Sequence, residues 1–252
     1  MQFSVIISEK DPAGMNIKTA LEERKIRVHT TKQESVHFEE CDKLPADFLI
    51  FATKHQSKKG LPALCAHAVG NWGIAELGGK ENLLGIAPTL YLKRAVQLLE
   101  EKNSLRWEVF QEATHHGPYS KKPILFIEIG SAEKEYNNKE AGRIVAEVIL
   151  ELLSYAPHRC IPAIGIGGLH HTPNFKKIQL QTDIAIGHVC PKYNLPFLTK
   201  EMIMQALDKT MPKAELIILD WKGLGGEKER IKKLVDEIVV ERGIKVMRTS
   251  VF

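Results

Sequence analysis

The sequence predicts an α/β protein built around a largely parallel β-sheet. Short apolar runs alternate with amphipathic segments along all 252 residues, and the 44% hydrophobic and 26% charged residues are close to globular averages. Glycine- and histidine-containing segments follow several of the apolar runs. Alternating strands and helices are typical of a parallel sheet covered by helices. No repeat or clear linker interrupts the pattern, so we expect one domain over 1–252, with 54–88 as a loop-rich elaboration.

The strand predictions depend on short apolar, often β-branched runs bounded by turn residues. FLIFAT at 48–53 is an example of a buried strand. The predicted strands are 3–8, 27–30, 48–53, 107–114, 124–129, 161–166, 176–180, 183–188, 215–219 and 245–249.

The helix predictions depend on capping residues and on helical spacing of apolar residues. Asp11 followed by Pro12 is typical of a helix N-cap with proline in the first turn. The segment 138–155 places Ala141, Ile144 and Val148 on one face. The predicted helices are 12–25, 91–102, 138–155, 199–209 and 227–241.

Charge and cysteine content exclude some classes of protein. The net charge of +4 and pI of about 8.7 permit an RNA partner without requiring one. The four cysteines have no CxxC spacing, which excludes a zinc ribbon. The N-terminal residues do not resemble a secretory leader, and no run approaches the roughly 18 apolar residues of a membrane span. We therefore expect a soluble, cytoplasmic protein with no membrane partner.

Polar clusters follow six predicted strands. Open α/β sheets bind ligands beyond the carboxyl ends of their strands, so these clusters predict one composite site. The residues concerned are Lys54 and His55, His115 and His116, Glu128, His170 and His171 after Gly167 and Gly168, His188, and Asp220 to Gly223.

The histidines are candidate metal ligands, because neutral imidazole is the commonest protein ligand for metals. No HExxH spacing occurs, so the spacing alone does not specify a metal. A hydrogen-bonded structural histidine is the alternative at each position, and we favour it for His67 and His188 taken alone. In extended backbone, at most one member of each His-His pair would face the site, and the other would pack beside it.

Several other motifs have both a functional and a structural interpretation. The run from Gly165 to His170 lacks the last glycine of a dinucleotide fingerprint, and no Walker A or GxSxG motif occurs. Gly223 to Gly226 could bind phosphate at a helix start or form a tight turn. Cys65 is either a nucleophile or, as we favour, a buried thiol. A rim for phosphates, or simply solvated surface, is formed by Lys54, Lys58, Lys59, Lys121, Lys122, Lys176, Lys177 and Lys192.

Taken together and in order, five motifs resemble the archaeal and plant type of D-aminoacyl-tRNA deacylase, over nearly the whole chain. The motifs are His55 with LCAHAVGNW at 64–72, ATHHGP at 113–118, GIGGLHHTP at 165–173, GH at 187–188 with PKY at 191–193, and LDWKG at 219–223. The departure is His171, where the family often has tyrosine.

The resemblance implies an esterase that removes D-amino acids from tRNA and acts on the acceptor end. It implies a three-layer αβα, phosphorylase/hydrolase-like fold related to peptidyl-tRNA hydrolase, and a zinc-dependent enzyme with two Zn²⁺ ions per subunit. We expect a monomer or small homo-oligomer.

The joint position of these residues at strand ends and in the matched motifs gives them expected roles. The expected catalytic residues are His115, His116, Glu128 and His170. The expected metal ligands are His67, His116, His170 and His188. The expected substrate-binding residues are Lys54, His55, Asn71, Gly167, Gly168, His171, Lys192 and Lys222. The glycines would supply oxyanion donors.

Two alternatives remain open at this point. A zinc-dependent peptidase or amidohydrolase of the same fold class would explain the histidines but not the basic surface. A non-catalytic tRNA-binding module would explain the lysines but not the clustered histidines.

Overall fold

The computed structural model describes residues 2–57 and 60–252 and has a mixed α/β architecture. The strands are β1 (Phe3–Ser8), β2 (His29–Thr31), β3 (Phe48–Gln56), β4 (Ala63–His67), β5 (Gly70–Asn71), β6 (Leu83–Leu84), β7 (Ala87–Pro88), β8 (Glu108–Gln111), β9 (Ile124–Ser131), β10 (Ile161–Ile166), β11 (Ile184–Cys190), β12 (Thr210–Met211), β13 (Leu216–Leu219) and β14 (Lys245–Arg248). The helices are α1 (Pro12–Glu23), α2 (Thr89–Lys102), α3 (Glu133–Tyr136), α4 (Lys139–Ser154), α5 (Pro173–Gln181), α6 (Lys200–Asp208) and α7 (Lys228–Arg242).

The longer strands form two sheets that are mostly parallel. The larger has six strands in the order β2-β1-β3-β9-β4-β8, and the smaller has four in the order β11-β10-β13-β14. Within the larger sheet β4 runs antiparallel to β9, whereas the other pairings are parallel. The predicted α/β class with a largely parallel mixed sheet is therefore confirmed.

Each sheet buries an apolar face against helices. Helices α1, α2 and α4 cover the larger sheet, and their apolar residues, such as Leu21 and Val148, are fully buried with Ile50. Helices α6 and α7 contribute Ile203 and Ile231 to the core beside the smaller sheet. Since apolar burial contributes about 25 cal/mol per Å², these faces rather than helix propensity hold the layers together.

The two sheets meet along a seam that runs past the end of β8. Backbone amides of Ala113 and Thr114 donate to the carbonyls of His170 (2.7 Å) and Val189 (3.0 Å). The Gln111 side chain donates to Ile186 O at 3.1 Å. The seam therefore brings strand ends of both sheets together.

The start of α1 is fixed to the end of β3. Asp11 is the N-cap and accepts the Gly14 amide at 2.8 Å, and Pro12 is the first helical residue, as predicted. The second carboxylate oxygen of Asp11 accepts a hydrogen bond from the Lys54 amide at 3.0 Å. One carboxylate thus caps the helix and holds the strand end that carries His55.

Two predicted elements are wrong. Residues 176–180 are helix α5 rather than a strand: Phe175 and Ile178 are buried on one face, and Thr172-Pro173 begins the helix. The loop-rich interpretation of 54–88 missed β4, a central strand whose five residues are all buried. A short, fully buried strand has no alternation of polar and apolar residues, so period-2 patterning does not reveal it.

Within residues 2–57 and 60–252, no helix combines the length and apolar character needed to cross a bilayer.

Candidate active site

Five histidines and two glutamates meet beneath one open cavity of 480 Å³. His67 has no exposed surface, whereas His170 lines the cavity and is about one-third exposed. We refer to these seven side chains as the His–Glu cluster: His55, His67, Glu112, His115, His116, Glu128 and His170.

Three adjacent strands of the larger sheet supply the first part of the cluster. His55 lies near the end of β3, Glu128 lies in β9, and His67 ends β4. Thr53, opposite Glu128 in the sheet register, donates its hydroxyl to Glu128 Oε1 at 2.7 Å. His55 Nδ1 lies 3.6 Å from Glu128 Oε2 and 3.2 Å from Glu112 Oε1.

Glu112, beside the larger sheet, contacts His170, which follows a strand of the smaller sheet. The sequence analysis did not identify Glu112 as a site residue. It follows β8 directly, has a fully buried side chain, and lies with Oε1 2.9 Å from His170 Nε2. The opposite ring nitrogen of His170 is 2.9 Å from the Tyr193 hydroxyl. The available signal was its position three residues before His115, at the end of a predicted strand.

His115 and His116 both belong to the cluster, which corrects the expectation that only one would. Their ring centroids are 4.3 Å apart, and those rings lie 4.3 and 4.8 Å from His67. His116 has a φ of 44°, so the backbone leaves the extended conformation in which neighbours point to opposite faces. In the second pair, His171 instead stacks on Phe110 at 3.9 Å.

The two buried carboxylates control the charge of their histidines. Burial lowers the pKa of His55, but Glu112 and Glu128 outweigh it and raise that pKa to about 10. Burial likewise lowers the pKa of His67, and hydrogen bonding to Glu128 with both carboxylate charges raises it overall. In return, histidine contacts hold the carboxyl pKa values of Glu112 and Glu128 below their ordinary range, despite burial.

His115 and His116 are instead held neutral. Burial, reinforced by His67, lowers the pKa of His116 to about 4 and that of His115 well below 6.5. Nδ1 of His115 lies 2.8 Å from Ala113 O, and Nδ1 of His116 lies 2.6 Å from Gly117 O. Since a carbonyl only accepts, each Nδ1 donates and each Nε2 keeps its lone pair.

Among the described residues, three overlapping groups drawn from the cluster and from Cys65 have ligand atoms within 4.8 Å of one another. The groups are His67, His115 and His116; Glu112, His115 and His170; and His55, Cys65, Glu112 and Glu128. Nε2 of His55 and of His67 has no hydrogen-bond partner among the described residues, although both atoms are buried. Neutral imidazoles with free lone pairs beside ionised carboxylates suit a divalent metal ion.

His188 lies away from the donor groups that the described residues form. It is fully buried in β11, with Nδ1 3.2 Å from the Thr114 hydroxyl. Burial lowers its pKa to about 3. His188 in this environment fits the alternative given in the sequence analysis, a hydrogen-bonded structural histidine.

The glycine-rich segments form turns outside the cavity. The Gly167 amide donates to Cys190 O at 2.8 Å, so it is not free to stabilise an oxyanion, contrary to the expectation. A Cβ at Gly168, where φ is 83°, would lie 2.8 Å from Asp220 Oδ2. Asp220 itself accepts the Gly223 amide at 3.2 Å and the Asn174 side chain at 3.0 Å, which closes a tight turn.

Cys65 contacts both glutamates, with Sγ 3.5 Å from Glu112 Oε2 and 3.6 Å from Glu128 Oε2. Burial and these two negative charges raise the thiol pKa well above 9. The thiol therefore stays protonated, which agrees with the buried-thiol interpretation rather than a nucleophile.

The predicted lysine rim is only partly at the cavity. Lys54 lines it, together with Lys10, which the sequence analysis missed. Lys192 and Lys222 are exposed but do not line it. Lys58 and Lys59 lie outside the described residues. Other rim candidates contact the protein instead: Lys122 bonds Leu44 O, Lys176 pairs with Glu100, and Lys177 bonds Phe252 O.

The fold and the cluster define an α/β protein with a buried histidine–carboxylate centre of the kind that acid–base or metal-assisted hydrolysis requires. A family profile described as D-aminoacyl-tRNA deacylase matches residues 42–247. The chain belongs to the D-aminoacyl-tRNA deacylase family.

Curated relatives with that name cover most of the chain. One from Thermococcus kodakarensis is 42% identical and covers 87% of this chain and 82% of its own. One from Pyrococcus furiosus is 40% identical, covering 95% and 98%. The fold is similar to a crystal structure of a conserved protein of unknown function, AF0625, with a TM-score of 0.91 and 30% identity, covering 99% of this chain and 95% of that one.

Proposed function

We propose that this protein hydrolyses the ester bond of D-aminoacyl-tRNA, releasing free D-amino acid and tRNA. The observation that carries the proposal is the His–Glu cluster beneath an open cavity, in a chain of this family. Ester hydrolysis needs a water nucleophile, an acceptor for its proton and a group that stabilises the oxyanion. The cluster has ionised carboxylates and neutral imidazoles for these tasks.

Zinc is the metal we propose for the cluster. Three observations support the fit: the buried Nε2 of His67 has no hydrogen-bond partner among the described residues, His115 and His116 are neutral, and the carboxylates of Glu112 and Glu128 are ionised. When bound, zinc makes water a better nucleophile at neutral pH and polarises the ester carbonyl. For two ions per subunit, we assign His67, His115 and His116 to one, and the carboxylates of Glu112 and Glu128 to the other. His188 has no part in this assignment.

The protein's own groups orient the proton acceptors. Glu112 faces His170 Nε2 at 2.9 Å and so favours a proton at that atom, which leaves Nδ1 as the acceptor beside the Tyr193 hydroxyl. His170 also lines the cavity and is about one-third exposed, so an ester in the cavity could reach it. We therefore assign proton transfer to His170, and assign Glu128 to holding His55 and His67.

The cavity rim supports an RNA substrate. Lys10 and Lys54 are exposed and line the same cavity as the cluster. Cations there would contact the phosphates of the tRNA acceptor end. A peptidase or a non-catalytic RNA-binding module is not favoured, since the family is that of deacylases.

We also propose that the chain is a single domain with a three-layer arrangement, and that its fold is related to that of peptidyl-tRNA hydrolase.

The test is hydrolysis of D- and L-tyrosyl-tRNA by the purified protein, with chelator and with zinc added back. We expect release of D-tyrosine only, loss of activity with chelator and recovery with zinc. His116→Ala and His170→Ala should lower kcat/KM by about 100-fold or more. His158→Ala, an exposed histidine outside the cluster, is the matched control. Hydrolysis of neither ester by zinc-loaded protein would overturn the proposal.

A further inference from the structure

A second cavity opens on the other side of His115 and His116. Its volume is 580 Å³, and it shares only Leu77, His115 and His116 with the cavity above the cluster. We call it the aromatic cavity, and its apolar lining is Trp72, Ile74, Leu77, Tyr193 and Phe197. Its size is within the range of small-ligand sites.

Large apolar side chains face solvent at this cavity. Ile74 is 75% exposed, Phe197 68% and Leu77 56%. Trp72 is buried beneath them and fixed by a hydrogen bond from its Nε1 to Val189 O at 3.2 Å. Exposed apolar groups grouped around a concavity mark a binding site, because exposing them to water is unfavourable.

Both walls of the aromatic cavity are tied to the cluster. The segment carrying Ile74 and Leu77 is held by Asn71, whose amide donates to Gly78 O at 3.0 Å, and by the Gly117 amide, which donates to Leu77 O at 2.9 Å. On the opposite wall, the Tyr193 hydroxyl is 2.9 Å from His170 Nδ1. The cavity is therefore preformed next to the reacting groups.

The charges differ between the two cavities. The cavity above the cluster has the exposed lysines Lys10 and Lys54 in its lining, together with Asp11, Glu34 and the two glutamates of the cluster. Among the described residues, the ionisable groups that line the aromatic cavity are Glu76, Glu81, Tyr193 and the shared histidines, with no lysine or arginine. In the part of the chain that the structure describes, only the first of the two cavities therefore offers lysines to RNA phosphates, whereas an uncharged side chain beside a cationic amino group suits the second.

We infer that the aromatic cavity binds the side chain of the aminoacyl group, so that it sets the preference for aromatic over small D-amino acids. The inference rests on the proposed function. An ester lying across His115 and His116 would extend its nucleotide toward Lys10 and Lys54 and its amino-acid ring toward Phe197 and Ile74. Ring contacts with Phe197 and Tyr193 would stabilise that arrangement.

The test uses one tRNA charged with D-tyrosine or with D-alanine. Phe197→Ala and Ile74→Ala should each lower kcat/KM for the D-tyrosyl ester by about tenfold and change that for the D-alanyl ester by less than about twofold. Phe197→Tyr keeps a ring and should retain most activity. Val240→Ala, an exposed apolar residue on α7 outside both cavities, is the control.

Each other outcome has a separate meaning. Equal losses for both esters would overturn the inference, because the cavity would then bind a part common to all substrates, such as the terminal adenosine. No loss for either ester would also overturn it. Failure of the unmodified protein to hydrolyse either ester would overturn the proposed function itself.

Discussion

Glu112 contacts both His55, from the larger sheet, and His170, from beside the smaller one. The substitution Glu112→Gln tests its electrostatic role, because it removes the charge and keeps the shape of the side chain. The change removes a fully buried negative charge 3.2 Å from His55 Nδ1 and 2.9 Å from His170 Nε2. Glutamine can still accept a hydrogen bond, so the expected effects come from the lost charge.

The size of the effect follows from the pKa of His55. Its rise from 6.5 to about 10 corresponds to about 5 kcal/mol of preference for the charged imidazole. Glu112 and Glu128 share this effect, and Glu112 contributes the larger hydrogen-bonding part. Both carboxylates also offset burial, which is the largest single influence and lowers this pKa, so we expect Glu112→Gln to lower the pKa of His55 by at least about 2 units.

The stability change has a defined pH window. A raised histidine pKa stabilises the fold fully below 6.5 and loses that contribution as pH rises through about 10. A lowered carboxyl pKa stabilises it above 4.5 and loses that contribution on acidification. Glu112→Gln should therefore be most destabilising near pH 6, with a difference that shrinks toward pH 10.

The assays are an NMR titration of the histidine ring protons in chelator-treated protein, and deacylation kinetics in zinc-loaded protein. We expect kcat/KM to fall by about 100-fold, because His170 loses its carboxylate partner. Glu108→Gln is the control, because Glu108 is an exposed glutamate in β8, the strand that Glu112 follows. A His55 pKa that stays near 10, or an unchanged kcat/KM, would refute the reasoning.

Two further predictions concern stability. His188 has a pKa of about 3 in the fold and about 6.5 when unfolded, so it resists protonation in the fold and its contribution to stability falls as pH drops below 6.5. Between pH 6.5 and 4.5 this loss is about 2 kcal/mol. His188→Asn, which keeps a polar group near Thr114, should remove that part of the acid sensitivity in urea denaturation curves, and an unchanged slope of stability against pH would contradict it. Asn138 caps α4 by accepting the Ala141 amide at 3.0 Å, so Asn138→Ala should lower the free energy of unfolding by about 1 kcal/mol, whereas Lys139→Ala should change it little.

The sequence was sufficient to predict most elements, because their signals are local. Asp11-Pro12 begins α1, Asn138 caps α4, and 161–166 forms a strand with the predicted bounds. Residues 176–180 were misassigned because a five-residue window holds too few apolar positions to distinguish a strand from a helix.

The site was predicted less completely, because its geometry depends on non-local contacts. Histidines at strand ends could be found from their motifs, and the cluster includes His55, His115 and His170. Glu112 could not be distinguished from other carboxylates, since its role depends on His170 in the other sheet. The left-handed conformation of His116 was also hidden, because non-glycine residues seldom adopt it.

The seam between the sheets has a consequence for how the active centre is built. The backbone bonds from Ala113 to His170 and from Thr114 to Val189 flank the residues of the cluster itself. His55, His67 and Glu128 come from one sheet, and His170 from the other, so neither sheet alone carries a complete set. The centre is therefore complete only when the two sheets are docked, so the backbone bonds of the seam set the spacing between His170 and the other residues of the cluster.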